Sequence, residues 1–131
     1  NRQLDEWGES GVVEWWGDKS DMHKVLTQAH IVCLPSYREG LPKVLLEAAS
    51  CGRPIIATDV PGCREIVHNG KNGILVPLKD SIALASAIKE LINNSEKRRR
   101  MGINGRRLVV SEFSEKIVVS QTLKLYKKVL A

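Results

Sequence analysis

His30-Ile-Val-Cys-Leu-Pro-Ser-Tyr-Arg-Glu-Gly-Leu-Pro-Lys-Val-Leu-Leu-Glu-Ala-Ala-Ser-Cys-Gly-Arg-Pro-Ile-Ile-Ala-Thr58 sets two short apolar runs on either side of a longer apolar segment, and that alternation decides the fold. Residues 31–34 form a short apolar run that stops at Pro35. Residues 54–58 form a second, with no polar alternation, as expected of a strand covered on both faces. Between them, residues 42–50 read as a helix. Pro42 suits its first turn, where a missing N–H costs nothing, and Gly52 stands just past its end, where glycine is preferred. Strand, helix, strand in this order requires a crossover, and the crossover makes the two strands parallel.

Working outward, residues 12–16 (Val-Val-Glu-Trp-Trp) read as a strand closed by Gly17, and Ser20 or Asp21 can cap a short helix through about Gln28. Downstream, Pro61-Gly62 turns the chain into a short helix over residues 63–67. Asn69-Gly70 and Asn72-Gly73 bracket a turn before a strand over residues 74–77. Asp80 or Ser81 caps a helix whose Ile82, Leu84, Ala85, Ile88, Leu91 and Ile92 approximate a 3.6-residue period. Two more helices are predicted near residues 96–110 and 114–129. The fold class is α/β, a Rossmann-like parallel sheet with flanking helices. Ligands of such sheets bind at the carboxyl ends of the strands, which marks the loops over residues 17–20, 35–41 and 58–62 as the candidate site.

A chain of 131 residues, 43% hydrophobic, can bury one core, so residues 1–131 are read as a single domain or part of one. No run of ~18 apolar residues and no signal peptide is evident, which predicts a soluble, cytoplasmic chain. Cys33, Cys51 and Cys63 have no metal spacing, and their odd number argues against a disulfide framework; their settings suggest small buried hydrophobes. The net charge of +5 lies largely in Lys97-Arg98-Arg99-Arg100, Arg106-Arg107 and the lysines near the end. With 5% aromatic residues and no interleaved basic and aromatic surface, nucleic acid is not an expected partner. A solvated helix face is the plainer meaning, and attraction to anionic lipid headgroups stays open as peripheral membrane contact.

Two carboxylates frame the loop before the central helix. Glu39 and Glu47 are eight residues apart, which places them on roughly one face about 12 Å apart if both are helical. Gly40 allows close backbone approach to a ligand, and free N–H groups at the helix start favour an anion such as a diphosphate. Spacing of this kind is common on ordinary helices, and Ser36-x-x-Glu39 also fits a capping box. His30 and His68 have no partner at a spacing that suggests a catalytic pair or a metal site.

The run from His30 to Glu65, continued by Val67-His-Asn-Gly-Lys-Asn-Gly-Ile-Leu-Val-Pro77 and Asp80 and weakly by Met101-Gly102 and Phe113-Ser114, resembles the donor-binding domain of group 1 (family 4) glycosyltransferases. The resemblance implies half of a two-domain GT-B enzyme, the donor half. It implies transfer of a hexosyl or N-acetylhexosaminyl group, with retention, from a nucleoside diphosphate sugar to a saccharide or lipid-linked hydroxyl acceptor. Bacterial polysaccharide or lipopolysaccharide synthesis is the implied setting, at the inner face of the membrane. By the same resemblance Glu47 accepts from the ribose hydroxyls, and Glu39 is catalytic, contacting the donor sugar near its reacting face. Gly40, Leu41 and Pro42 form the sugar and diphosphate loop, although Pro42 has no N–H to offer. Trp16 and Gly17 stand where the base-binding loop begins, whereas Asp59, Gly62 and Glu65 match a turn near the cleft that turn chemistry explains equally well. No Asp-x-Asp is present, so no cofactor and metal independence are expected. The acceptor-binding domain and the basic clamp on the diphosphate lie upstream of residue 1, which predicts that the fragment alone is inactive and that its open sheet edge invites oligomers. A non-catalytic nucleotide-sugar sensor or an interaction module is the alternative reading.

Overall fold

Strand β2, Ile55–Thr58, is buried at every position, because it lies between strands and is covered on both faces. The computed structural model describes residues 22–36, 40 and 42–113; the predicted elements over residues 12–16 and 114–129 lie outside them. Within that range the order is α1 (Met22–Thr27), β1 (Val32–Leu34), α2 (Lys43–Ser50), β2, α3 (Pro61–Ile66), β3 (Gly73–Val76), α4 (Ser81–Ile92) and α5 (Ser95–Leu108), with a π-helical turn at Val109–Phe113. The three strands are all parallel in the order β1-β2-β3, with Val32 opposite Ile55 and Ile55 opposite Gly73. The α/β expectation holds.

Alternation along β2 feeds two cores. Ile55 and Ala57 pack with Leu45, Ala48 and Ala49 of α2, Cys63 and Ile66 of α3, and Phe113. Ile56 points to the other face, against Val76, Ala87 and Leu91 of α4 and Met101 of α5. The α4 stripe differs from the sequence expectation. Its packed residues are Ala83, Leu84, Ala87, Ile88 and Leu91, whereas Ile82 and Ile92 are 79% and 60% exposed. The stripe steps i, i+1, i+4, i+5, i+8, which keeps one face against the sheet and turns both isoleucines outward. Asp80 is the cap, its carboxylate accepting from the Ala83 N–H at 2.9 Å.

The cysteines also divide. Cys63 is buried, Cys51 half-buried and Cys33 exposed, so the expectation of three buried hydrophobes is corrected at Cys33, on a strand that among the described residues pairs on one side only. Asn72, read as a turn residue, is instead a buried strut. Its Nδ2 donates to the Ile66 carbonyl at 2.8 Å and its Oδ1 accepts from the His68 N–H at 2.7 Å, tying the end of α3 to the start of β3. Asn72→Ala leaves both backbone groups unmatched and is expected to cost about 3 kcal/mol. A shift of the urea midpoint at unchanged m-value measures it; an unshifted midpoint would contradict the strut.

Candidate functional site

The carboxyl ends of three parallel strands converge on one edge of the sheet. Pro35 follows β1, Thr58 ends β2, and Val76 with Pro77 ends β3; together with Lys79 and Asp80 they line a cavity of about 380 Å³. Thr58 is buried there, 3% exposed. Lys79 holds φ at 57°, a left-handed conformation that costs a side-chain-bearing residue roughly 1 kcal/mol and recurs at functional turns. The sequence carried no sign of Lys79's conformation.

Helix α2 begins beside this edge. Pro42, expected in the first helical turn, is the residue just before it, with φ −74° and ψ 108° and no side-chain cap hydrogen bond. The helix therefore opens at Lys43, and its first N–H groups have no partner inside the helix. Ser36 lies seven residues before α2 and does not cap that helix, and the capping-box reading of Ser36 with Glu39 rests on Glu39, outside the described residues. The helix that carries Glu47 begins at Lys43, so the shared helix face, which required both glutamates to be helical, does not follow from α2. Gly40 is exposed, with nothing within 4 Å of where a Cβ would stand. Space for a side chain is available, so packing does not demand glycine there.

Glu47 sits in the second turn of α2, its side chain 32% exposed. Among the described residues its charged neighbour is the Lys43 amine, 3.9 Å away and beyond hydrogen-bonding range. Among the described residues the carboxylate accepts no hydrogen bond, although its two oxygens offer about four acceptor positions. Glu39, Leu41, Trp16 and Gly17 lie outside the described residues. Of the predicted site residues that are described, Gly40 and Pro42 precede α2 and Glu47 lies in its second turn. Asp59 pairs with Arg64, Gly62 is buried inside α3 and Glu65 is exposed, which fits turn chemistry.

The family model for glycosyl transferases group 1 matches residues 2–108. The chain belongs to the group 1 glycosyltransferases. Among curated members of that group it is 33% identical, over 92% of its own length and 32% of the relative's, to the N,N'-diacetylbacillosaminyl-diphospho-undecaprenol alpha-1,3-N-acetylgalactosaminyltransferase of Campylobacter jejuni. Sucrose-phosphate synthase from Thermosynechococcus elongatus superposes with a TM-score of 0.83 at 30% identity, covering 98% of this chain and 33% of that one. The fold is also that of Anabaena HepE in complex with UDP-glucose, at TM-score 0.83 and 24% identity, covering 97% of this chain and 35% of that one. These neighbours are GT-B glycosyltransferases, and the group 1 chain described here spans about a third of the length of the curated relatives it matches. Among its described residues no helix is long and apolar enough to cross a membrane.

The basic run of this glycosyltransferase chain is less a solvated face than expected. Arg98 Nη1 donates to the Leu91 and Ile92 carbonyls at 2.6 and 2.7 Å, closing the end of α4. Arg106 Nη1 does the same for α2 through the Ser50 carbonyl at 2.6 Å, and Arg53 Nη2 for α1 through Thr27 at 3.1 Å. Lys97 pairs with Glu90. Arg99 and Arg100 remain exposed, in keeping with the solvated reading. Cations are favourable at helix carboxyl ends, where unpaired carbonyls accumulate partial negative charge. Sequence reasoning missed these roles, because Arg53 and Arg106 join segments 26 and 56 residues apart and Arg98 bridges the junction of two helices.

Proposed function

We propose that this chain is the donor-binding part of a retaining glycosyltransferase that moves a sugar from a nucleoside diphosphate to a hydroxyl acceptor in bacterial polysaccharide or lipopolysaccharide synthesis. The observation that carries the reading is the start of α2: an uncapped helix N-terminus, open space at Gly40 and a carboxylate with spare acceptors at Glu47, all where a parallel sheet presents its ligands. In this reading Glu47 accepts from the ribose diol, and the N–H groups of Gly40 and Leu41 face the donor sugar and its diphosphate. Glu39 lies against the reacting face of the sugar as the catalytic residue, and Trp16 with Gly17 borders the base.

Charge develops on the diphosphate as the glycosidic bond breaks. Preorganised N–H dipoles at the helix start stabilise that charge without reorganising, which is the main source of rate in such a site. The acceptor belongs to a domain outside these residues. The lipid-diphosphate acceptor named for the Campylobacter relative supports a lipid-linked one here, and transfer of a hexosyl or N-acetylhexosaminyl group fits the same relatives. Residues 1–131 alone are expected to be inactive; robust transfer by them would overturn the division of labour.

The test is calorimetric titration of the full-length protein with UDP-, GDP- and ADP-sugars. One donor is expected to bind saturably and to name the base. A folded protein that binds none of them would remove the donor site.

A further inference from the structure

A second concavity, about 370 Å³, opens at the opposite edge of the sheet, where the strands begin. His30 precedes β1, and Gly52-Arg53-Pro54 precedes β2. Its walls carry Arg53, Arg98, Arg99 and Arg106, with Ser95 at the start of α5. Among the described residues no carboxylate lines it. Among the described residues the nearest compensation is Glu96, which accepts from Arg99 at 2.9 Å on the exposed rim.

Four guanidinium groups around one cavity repel one another unless an anion intervenes. Helix capping accounts for one nitrogen each of Arg53, Arg98 and Arg106 and holds those side chains in place. It does not use the remaining donors, for a guanidinium has five N–H groups in a fixed fork suited to bidentate contact with phosphate. Arg53 has donors to spare: one Nη is bonded to Thr27 and its Nε is buried with no hydrogen-bond partner, so its charge is the least compensated on the cavity wall. The free N–H groups that open α5 at Ser95 add positive potential to the same cavity. The volume is within the range of small-ligand sites.

We propose that this amino-edge cavity is a second ligand site, separate from the donor edge, which binds a phosphate-bearing anion through the donors left on Arg53, Arg98, Arg99 and Arg106. The phosphate belongs either to a free small molecule, such as a sugar phosphate, or to a lipid headgroup. Because α2 ends at this cavity through Arg106 and Ser50 and begins at the donor edge, an occupant would press on the helix that carries Glu47.

The experiment titrates the full-length protein with inorganic pyrophosphate at fixed ionic strength, and separately sediments it with vesicles of phosphatidylglycerol and with neutral vesicles. Arg53→Gln and Arg99→Gln are compared with Arg64→Gln, which lies on α3 away from the cavity. Saturable binding weakened about tenfold or more by Arg53→Gln and Arg99→Gln but not by Arg64→Gln is expected. Perturbation of the Gly52 and Gly102 amide resonances by pyrophosphate places the ion independently of whether a variant folds. Loss confined to the vesicle arm would assign the phosphate to a lipid headgroup, and loss in the pyrophosphate arm to a free ligand. Equal affinity in all three variants, or no binding in either arm, overturns the site.

Discussion

Gly102→Ala lowers the stability of the domain by about 2 kcal/mol or more, while Gly105→Ala, one turn further along the same helix, stabilises it by up to ~1 kcal/mol or leaves it unchanged. A Cβ on Gly102 would stand 2.0 Å from the Gly52 carbonyl oxygen and 2.9 Å from its carbon. Both obstacles are backbone, so no side chain can swing away. Gly52 itself is held at φ +70°, closing α2, with its N–H on the Ala49 carbonyl and the Arg53 N–H on Ala48, each at 3.0 Å. Moving Gly52 breaks that ending; moving α5 opens the core at Met101, which is fully buried. Overpacking of this kind costs roughly 1–3 kcal/mol or more, and the ~1 kcal/mol that alanine gains in helix propensity offsets only part of it. At Gly105 the added methyl meets Asn72 and Ala49 carbons at 3.5 and 3.6 Å, which is ordinary contact. Urea midpoints of the two variants decide the matter, and equal midpoints would contradict the close approach of α5 to Gly52.

Backbone-level features were legible where a single residue type carries them. The continuous apolar run Ile55-Ile56-Ala57 announced a strand covered on both faces, and Gly52 announced the end of α2, each because one local rule suffices. The stripe of α4 was misread because Ala83 and Ala87 look less apolar than Ile82 and Ile92, yet small side chains are what let a helix lie close to the sheet. Arg53, Arg98 and Arg106 were missed for a different reason. The partners of Arg53 and Arg106, Thr27 and Ser50, are set by tertiary packing 26 and 56 residues away in sequence. Arg98 reaches only seven residues back to Leu91, but across the junction of two helices, which no single helical pattern describes. The candidate site stands between these cases. The motif and its spacing are visible in the sequence, but where α2 begins is set by Pro42, whose extended backbone puts the helix start at Lys43, and not by either glutamate.

Glu47→Ala is expected to weaken donor binding by about 3 kcal/mol or more while leaving stability within ~0.5 kcal/mol. The two effects separate because of what surrounds the carboxylate. Its ion pair with Lys43 spans 3.9 Å, with Lys43 85% exposed, and such an i, i+4 surface pair is worth only ~0.3–0.5 kcal/mol. A ribose diol, in contrast, would give the carboxylate two charge-assisted hydrogen bonds, each worth roughly 1.5–3 kcal/mol once desolvated by the ligand. Glu47→Gln keeps one acceptor oxygen and should fall between. The sharper comparison uses a donor whose ribose lacks its 2′-hydroxyl. The wild-type protein should bind it less tightly than the ribose donor, whereas Glu47→Ala should barely distinguish the two, because the group that reads the diol is gone. That non-additivity is the signature of direct contact, since a substitution that merely shifted α2 would weaken both donors alike. Parallel losses for the two donors, or a fall in the unfolding midpoint that tracks the loss of affinity, would make Glu47 a residue of the helix and not of the site.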